Sequence, residues 1–411
     1  MAAHSEAFFA EISQYPKNKS AERFDQLGAA LGFLPNDAQS LNIEPVTPIN
    51  TKAQKRYLAL QPALTYLLTE QLGKTGETAD GEVLRPIPSI PPHLAAYLAS
   101  IQPDLIAIQT HLLAQAPPQW EINLERMFNE DYPFPGLTNV LNTQKLLILS
   151  AISYSHQNQP SEMLAALEAS WRLNQAVAQR PDLVAQIAAS ITADYQSTLL
   201  RHTENLSQAQ LSQWQHRFSQ QIQQQRSVLD GVRFNVWLQY QSLQQSLSKV
   251  TESSNLLAVF SPVHQFAIAN IDTAQTAHRT IDLLRSTNVC ETSESAIEVQ
   301  LATIQTAEWN DAIAPLPAGL ATRWKQESDR TLSLELTQQV LNAKQHYQQH
   351  QQWPNHESQT VSQQLRSRAC PNEHWVYTLK DDNTLHIRLS AEPVSIPSQS
   401  FQMFLTLPVT D

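Results

Sequence analysis

The sequence predicts a mainly α protein of antiparallel helical hairpins, closed by a small C-terminal antiparallel β-hairpin or three-stranded sheet. Three observations predict it. Leucine and alanine recur at helical spacing along most of the 411 residues. Only 8 glycines occur, and glycine is what tight hairpins, phosphate loops and strained catalytic turns require. The 24 prolines punctuate long Leu/Ala/Gln segments, as where helices stop and restart.

Hydrophobic residues make up 42% and charged residues 16%, enough apolar side chains for a folded core. The length exceeds one compact domain and predicts three parts. These are an N-terminal helical segment with proline-rich joints (1–135), a central helical array (136–368) and a C-terminal β-appendage (369–411). The net charge is −11 with no Lys/Arg block, a field that repels a phosphate backbone, so no nucleic-acid partner is expected. No apolar run approaches the roughly 18 residues of a spanning helix, and residues 1–20 lack a signal-peptide layout. As written, the chain is expected to be soluble and cytoplasmic. Cys290 and Cys370 each sit in a polar connector; two ordinary thiols and one bridge are both open, the bridge requiring an oxidising compartment.

Taken in order, Phe24, Leu27, Leu31 and Leu34 mark a first helix. Leu58, Leu64, Leu67, Leu68 and Leu72 mark a second, followed by the turn-rich and then proline-rich joint "GKTGETADGEVLRPIPSIPP". A helix spans about His93 to Leu113. Leu147, Ala151 and Tyr154 line one face of the next, and Met163, Leu167, Ser170 and Trp171 line its partner beyond Pro160. Leu183, Ile187, Ile191, Tyr195 and Leu199 form a third amphipathic helix. From the N-cap Ser207 a seam of Leu211, Trp214, Phe218, Ile222, Leu229, Val232, Val236, Tyr240, Leu243, Leu247 and Val250 predicts a long helix within the protein's own core, with Gly231 as a bend. Its glutamine- and serine-rich faces can hydrogen-bond to neighbouring chains. Helices at about 262–285, 294–311 and 329–350 follow. The period then falls to two: Trp375, Tyr377 and Leu379 alternate before "KDDNT", and Leu385, Ile387 and Leu389 after it, with "SFQMFLTLPV" as a third strand.

The helix pair around Pro160 fits the tetratricopeptide positions, large–small–aromatic then small–aromatic–small, except that Met163 is large. The middle of the chain is therefore read as tetratricopeptide-like. Residues 137–218, with "QPSEMLAAL", "RPDLVAQIA" and "LSQAQL" in order, resemble a group of uncharacterised bacterial all-helical proteins; "EPVTP" at 44–48 is similar to their N-terminal region. The resemblance implies helix packing with no catalytic residue. It also implies proteins anchored by an N-terminal spanning helix and facing away from the cytoplasm, so the alternative address is extracytoplasmic or membrane-associated.

Candidate chemistry is sparse. "LGKTGE" ends like a phosphate-binding loop, but Leu68 stands where that loop needs glycine. His346, His350 and His356 have spacing for a three-histidine metal site, although Tyr347 occupies the position of a hydrolase glutamate; an exposed helix end is the plainer reading. Glu125, Glu130 and Asp131 suit an acid/base pair or a solvated loop. His264 and His278 share a helix face, the usual place of core or groove histidines, and the eight tryptophans read as packing. The expectation is a non-enzymatic protein-interaction scaffold or assembly subunit that takes a peptide or partner helix in a helical groove. Tyr154, Trp171 and Tyr195 are the candidate partner-binding residues, and no catalytic residue or cofactor is expected. The alternative is a small-molecule or metal-binding protein, a hydrolase among them, with its site between helices.

Overall fold

The computed structural model describes residues 17–35, 48–72, 87–122, 136–203, 206–224, 229–231, 233–234, 275–276, 278–288, 290–305, 319–354, 366–379, 385–391 and 405–407. Helix α1 (Lys19–Ala30) starts where the Asn18 side chain accepts the Ala21 N–H at 2.8 Å. It ends in a Schellman turn: Gly32 takes φ 86°, Phe33 N–H donates to Gly28 O at 3.0 Å and Gly32 N–H to Ala29 O at 3.1 Å. Helix α2 (Thr51–Tyr66), capped by Asn50, runs directly into a π-helical turn, Leu67–Leu72. Helix α3 is Pro92–Ala114. Pro62 and Pro103 lie inside α2 and α3, within the stretches that the leucine spacing marks as helical, and so are exceptions to the rule that the prolines punctuate helices. Each removes one N–H from its helix, and in α2 the π turn follows within a turn and a half.

Helices α4 (Thr138–His156) and α5 (Pro160–Ala178) form a hairpin. Its turn is again a Schellman motif, with Asn158 at φ 54° and Gln159 N–H donating to Tyr154 O at 2.9 Å; Pro160 then occupies the first helical position. Asp182 caps α6 (Leu183–His202) through the Ala185 N–H at 2.9 Å. A buried polar joint ties the three helices: Ser170 Oγ donates to Gln144 Oε1 at 2.6 Å and accepts from Gln196 Nε2 at 2.8 Å. Helix α7 (Gln208–Gln224), a helical stretch at 278–286, α8 (Glu294–Gln305) and α9 (Leu320–His350) follow. Strands β1 (Glu373–Leu379), β2 (Leu385–Ala391) and β3 (Leu405–Leu407) form an antiparallel sheet in that order, with Trp375 opposite Leu389 and Tyr377 opposite Ile387. The molecule is thus mainly helical with a small antiparallel C-terminal sheet.

Three apolar clusters meet on α9. Leu334 and Leu341 join the large core, which runs from Ala21 to Phe218 and so crosses residue 135. Leu332, Leu336, Val340 and Ala343 hold the sheet through Trp375, Tyr377, Leu385, Ile387 and Leu389. Leu320 and Ala321 pack with Leu183, Leu229, Ile281, Leu284, Ile297 and Leu301. Helix α9 begins at Leu320, behind Gly319 at φ 74°, nine residues earlier than the periodicity suggests.

Pairings along α9 give its neighbours' directions. Asp194 and Arg201 of α6 bond Ser333, and Arg201 also reaches Thr337, while Lys344 Nζ donates to Arg201 O at 2.7 Å and Thr203 O at 2.8 Å, so α6 and α9 run parallel. Helix α7 runs antiparallel to α9, because Ser212 pairs with Gln345, Gln215 with Asn342 and Ser219 with Gln338. These glutamine and serine side chains are spent inside the molecule, not on a neighbouring chain. Leu211, Trp214 and Phe218 are buried as the seam requires, whereas Val232 and the seam from Val236 to Val250 lie outside the described residues. A Cβ on Gly231 would stand 3.1 Å from Leu183 Cα, so this glycine serves close approach to α6.

Candidate functional site

The exposed face of α2 is the surface that sequence reading missed. Tyr57 and Leu64 point inward, and the π turn adds buried Leu67, Leu68 and Leu72. Tyr57 packs edge-on against Phe33 with centroids 4.8 Å apart, and its hydroxyl donates to Asn142 Oδ1 at 2.8 Å. Burial, with Tyr97 adding to it, raises the Tyr57 pKa above the ordinary phenol value. Burial likewise pushes Tyr97 up to about 12, while the Arg56 guanidinium, 5.4 Å from that ring's centre, acts the other way. This anchoring leaves the opposite face outward. Leu58 is 55% and Tyr66 59% exposed, with exposed Pro62 between them, one residue per turn on one stripe. Lys52, Lys55 and Arg56 are exposed at its N-terminal end. Leu58, one of the leucines whose spacing marks this helix, faces outward, and the readable signal is a second stripe at 58, 62 and 66.

The predicted partner-binding residues are not presented as one open face. Tyr195 is 7% exposed in the main core, and burial, with Asp194 adding to it, pushes its hydroxyl up to about 12. Tyr154 is half-buried against the same core. Trp171 is half-buried beneath Arg217 of α7, whose guanidinium carbon lies 5.1 Å from the Trp171 ring centre and 4.8 Å from that of Trp214. Glu168 pairs with Arg217 and, at 3.0 Å, with Arg172, whose Nη1 donates to Leu113 O at 2.6 Å. Burial lowers the Arg217 pKa below the usual arginine value, and Glu168 opposes that shift. The group staples α5 to α7 and to the end of α3.

His346 and His350 stand one turn apart with ring centroids 4.5 Å from each other, and His346 Nδ1 lies 2.9 Å from Gln352 O. His356 lies outside the described residues, as do His264, Glu125, Glu130, Asp131 and the "GKTGE" segment. Among the described residues no three His, Cys, Asp or Glu side chains are grouped to hold a metal ion. His278 faces outward, 3.2 Å from Asp282 with both side chains more than half exposed, which corrects its placement in the core or a groove. No helix among the described residues is long and apolar enough to cross a membrane.

One carboxylate is out of balance. Glu373 is buried in β1, and its Oε2 has no hydrogen-bond partner among the described residues. Burial, with the neighbouring Glu291 adding to it, raises its pKa above the ordinary carboxyl value. A raised folded-state value means that this group's contribution is complete below the unfolded-state pKa of about 4.3 and is lost as pH rises through the folded value. Glu373→Gln will therefore melt higher than the parent at neutral pH, with the gap closing towards pH about 4. Thermal melts across that range check this; a variant that melts lower at neutral pH would refute it.

Comparison with family models, curated proteins and solved structures finds no match. Functional assignment therefore rests on the chain's own surfaces.

Proposed function

We propose that the protein is a non-enzymatic helical scaffold or assembly subunit, and that the outer face of α2 takes an amphipathic, acidic partner helix or peptide. The carrying observation is the Leu58–Pro62–Tyr66 stripe bordered by Lys52, Lys55 and Arg56. Three exposed apolar side chains one turn apart match the i, i+4, i+8 anchors of a docked helix. In a chain of net charge −11, the three cations form a local exception that selects an acidic partner and sets its direction. Hairpins α4–α5 and α5–α6, whose shared polar joint fixes their register, support the tetratricopeptide-like scaffold reading. Tyr195 and Trp171 serve this scaffold from within, as packing under α9 and α7.

The test places a benzophenone photo-crosslinker at Leu58 in the full-length chain, with Val299 of α8, itself 66% exposed, as the control position. Irradiation in native cells yields one defined protein adduct from position 58 and none from 299. Combining the label with Lys52→Glu and Lys55→Glu abolishes it. The reading fails if both positions give the same products, or if the adduct is indifferent to the charge reversal. Co-sedimentation with anionic lipid vesicles that depends on the same lysines would overturn it in favour of a membrane surface.

A further inference from the structure

We propose that the protein works with Cys290 and Cys370 joined, in an oxidising compartment outside the cytoplasm, and that the bridge is a structural lock and not a redox centre. The inference is independent of the α2 reading. The two cysteines are the chain's whole complement, and they are bonded to each other across 80 residues with Cα atoms 5.7 Å apart, inside the span of ordinary disulfides. The bridge sits where two cores meet. Cys370 is fully buried in the cluster between α9 and the sheet, and Cys290 packs against both that cluster and the one lined by α8. Beside it, Asn372 Nδ2 donates to Glu291 Oε1 at 2.8 Å, a second tie between the same two segments. The bridge therefore pins the turn before α8 to the turn before β1.

Its chemistry points to permanence. A thiolate from solvent reaches the Cys290 sulfur first, because that residue is the more exposed of the pair. The S–S bond would then break with its electron pair on Cys370, leaving a thiolate inside an apolar cluster and close to the Glu373 backbone turn. Burial disfavours that anion, so Cys370 is a poor leaving group and exchange is slow while the fold holds. Formation is the reverse exchange: the two thiols give up two protons and two electrons to a donor disulfide, which leaves as a dithiol. Cells keep such donors outside the cytoplasm, where glutathione and thioredoxin do not hold thiols reduced.

The first test is acid quenching of native cells and alkylation with a mass tag under denaturing, non-reducing conditions. The full-length protein takes up no tag before reduction and two after it; two tags before reduction overturn the proposal. In the second, millimolar dithiothreitol opens the bridge of the purified folded protein at least about tenfold more slowly than in denaturant. Equal rates refute the lock. In the third, Cys290→Ser combined with Cys370→Ala speeds hydrogen exchange at the β1 amides by about tenfold or more, with α4–α5 unchanged. Unchanged β1 exchange also refutes the lock, and should the variant fail to fold, the first two measurements still decide.

Discussion

Arg201→Met will destabilise the fold by about 3 kcal/mol, measured as the shift of the equilibrium denaturation midpoint at unchanged slope. Arg201 is 6% exposed at the C-terminal end of α6. Its Nη1 donates to Ser333 O at 3.1 Å, Ser333 Oγ at 3.0 Å and Thr337 Oγ1 at 3.0 Å, and its Nη2 donates to Thr198 Oγ1 at 3.0 Å. Methionine preserves most of the volume but none of these donors, so the loss reports the polar bonds and not a cavity. Arg201→Lys keeps the charge but not the fork, and is expected to lose about half as much. The α6–α9 seam also holds Arg330, whose pKa burial lowers below the usual arginine value against the opposing pull of Asp194. Asp194 accepts the Ser333 hydroxyl at 2.8 Å, so a missing Arg201 loosens its partners as well. A shift below about 1 kcal/mol would show that the seam is held by its apolar contacts alone.

The elements were legible because their signals are local. The helix read at His93–Leu113 is α3 at Pro92–Ala114, and the alternation of Trp375 and Tyr377 with Leu385, Ile387 and Leu389 is the β1–β2 pair. Signals that depend on distant partners were not legible. The glutamine and serine side chains of α7 showed only a polar face, and the partners of Ser212, Gln215 and Ser219 stand 119–133 residues on, in α9. The two apolar stripes of α2 look alike in sequence; packing of Tyr57 against Phe33 and Asn142 decides which one is covered. Arg201 finds its distant partners only on α9, and Glu335, itself on α9, finds its own only in the segment that leads into β1 and in β1. Likewise, the cysteine pairing is set by how α8 and the sheet meet on α9, which neither polar connector records.

Glu335→Ala will cost about 3–4 kcal/mol and will act on the sheet before the rest of the fold. Glu335 is 5% exposed on the face of α9 that carries the sheet. Its Oε1 accepts the backbone N–H groups of Arg368 at 2.8 Å and Ala369 at 3.3 Å, and its Oε2 accepts Trp375 Nε1–H at 3.1 Å. One carboxylate thereby fixes both the incoming chain and the first large side chain of β1. Alanine strands three donors at a buried junction, where each unmet donor costs about 1–3 kcal/mol, and solvent entry recovers part of that. Tyr377→Phe is the calibrating variant. It removes one hydroxyl that donates to Gln339 Oε1 at 2.8 Å and Gln339 O at 3.1 Å, and should cost about 1 kcal/mol. Because the Cys290–Cys370 bridge still tethers the sheet, the Glu335 variant should show faster exchange at β1 amides while α4–α6 keeps its protection. Uniform loss of protection across the chain would instead mean that the sheet and the helical core unfold as one unit, and that Glu335 holds the whole of α9 in place.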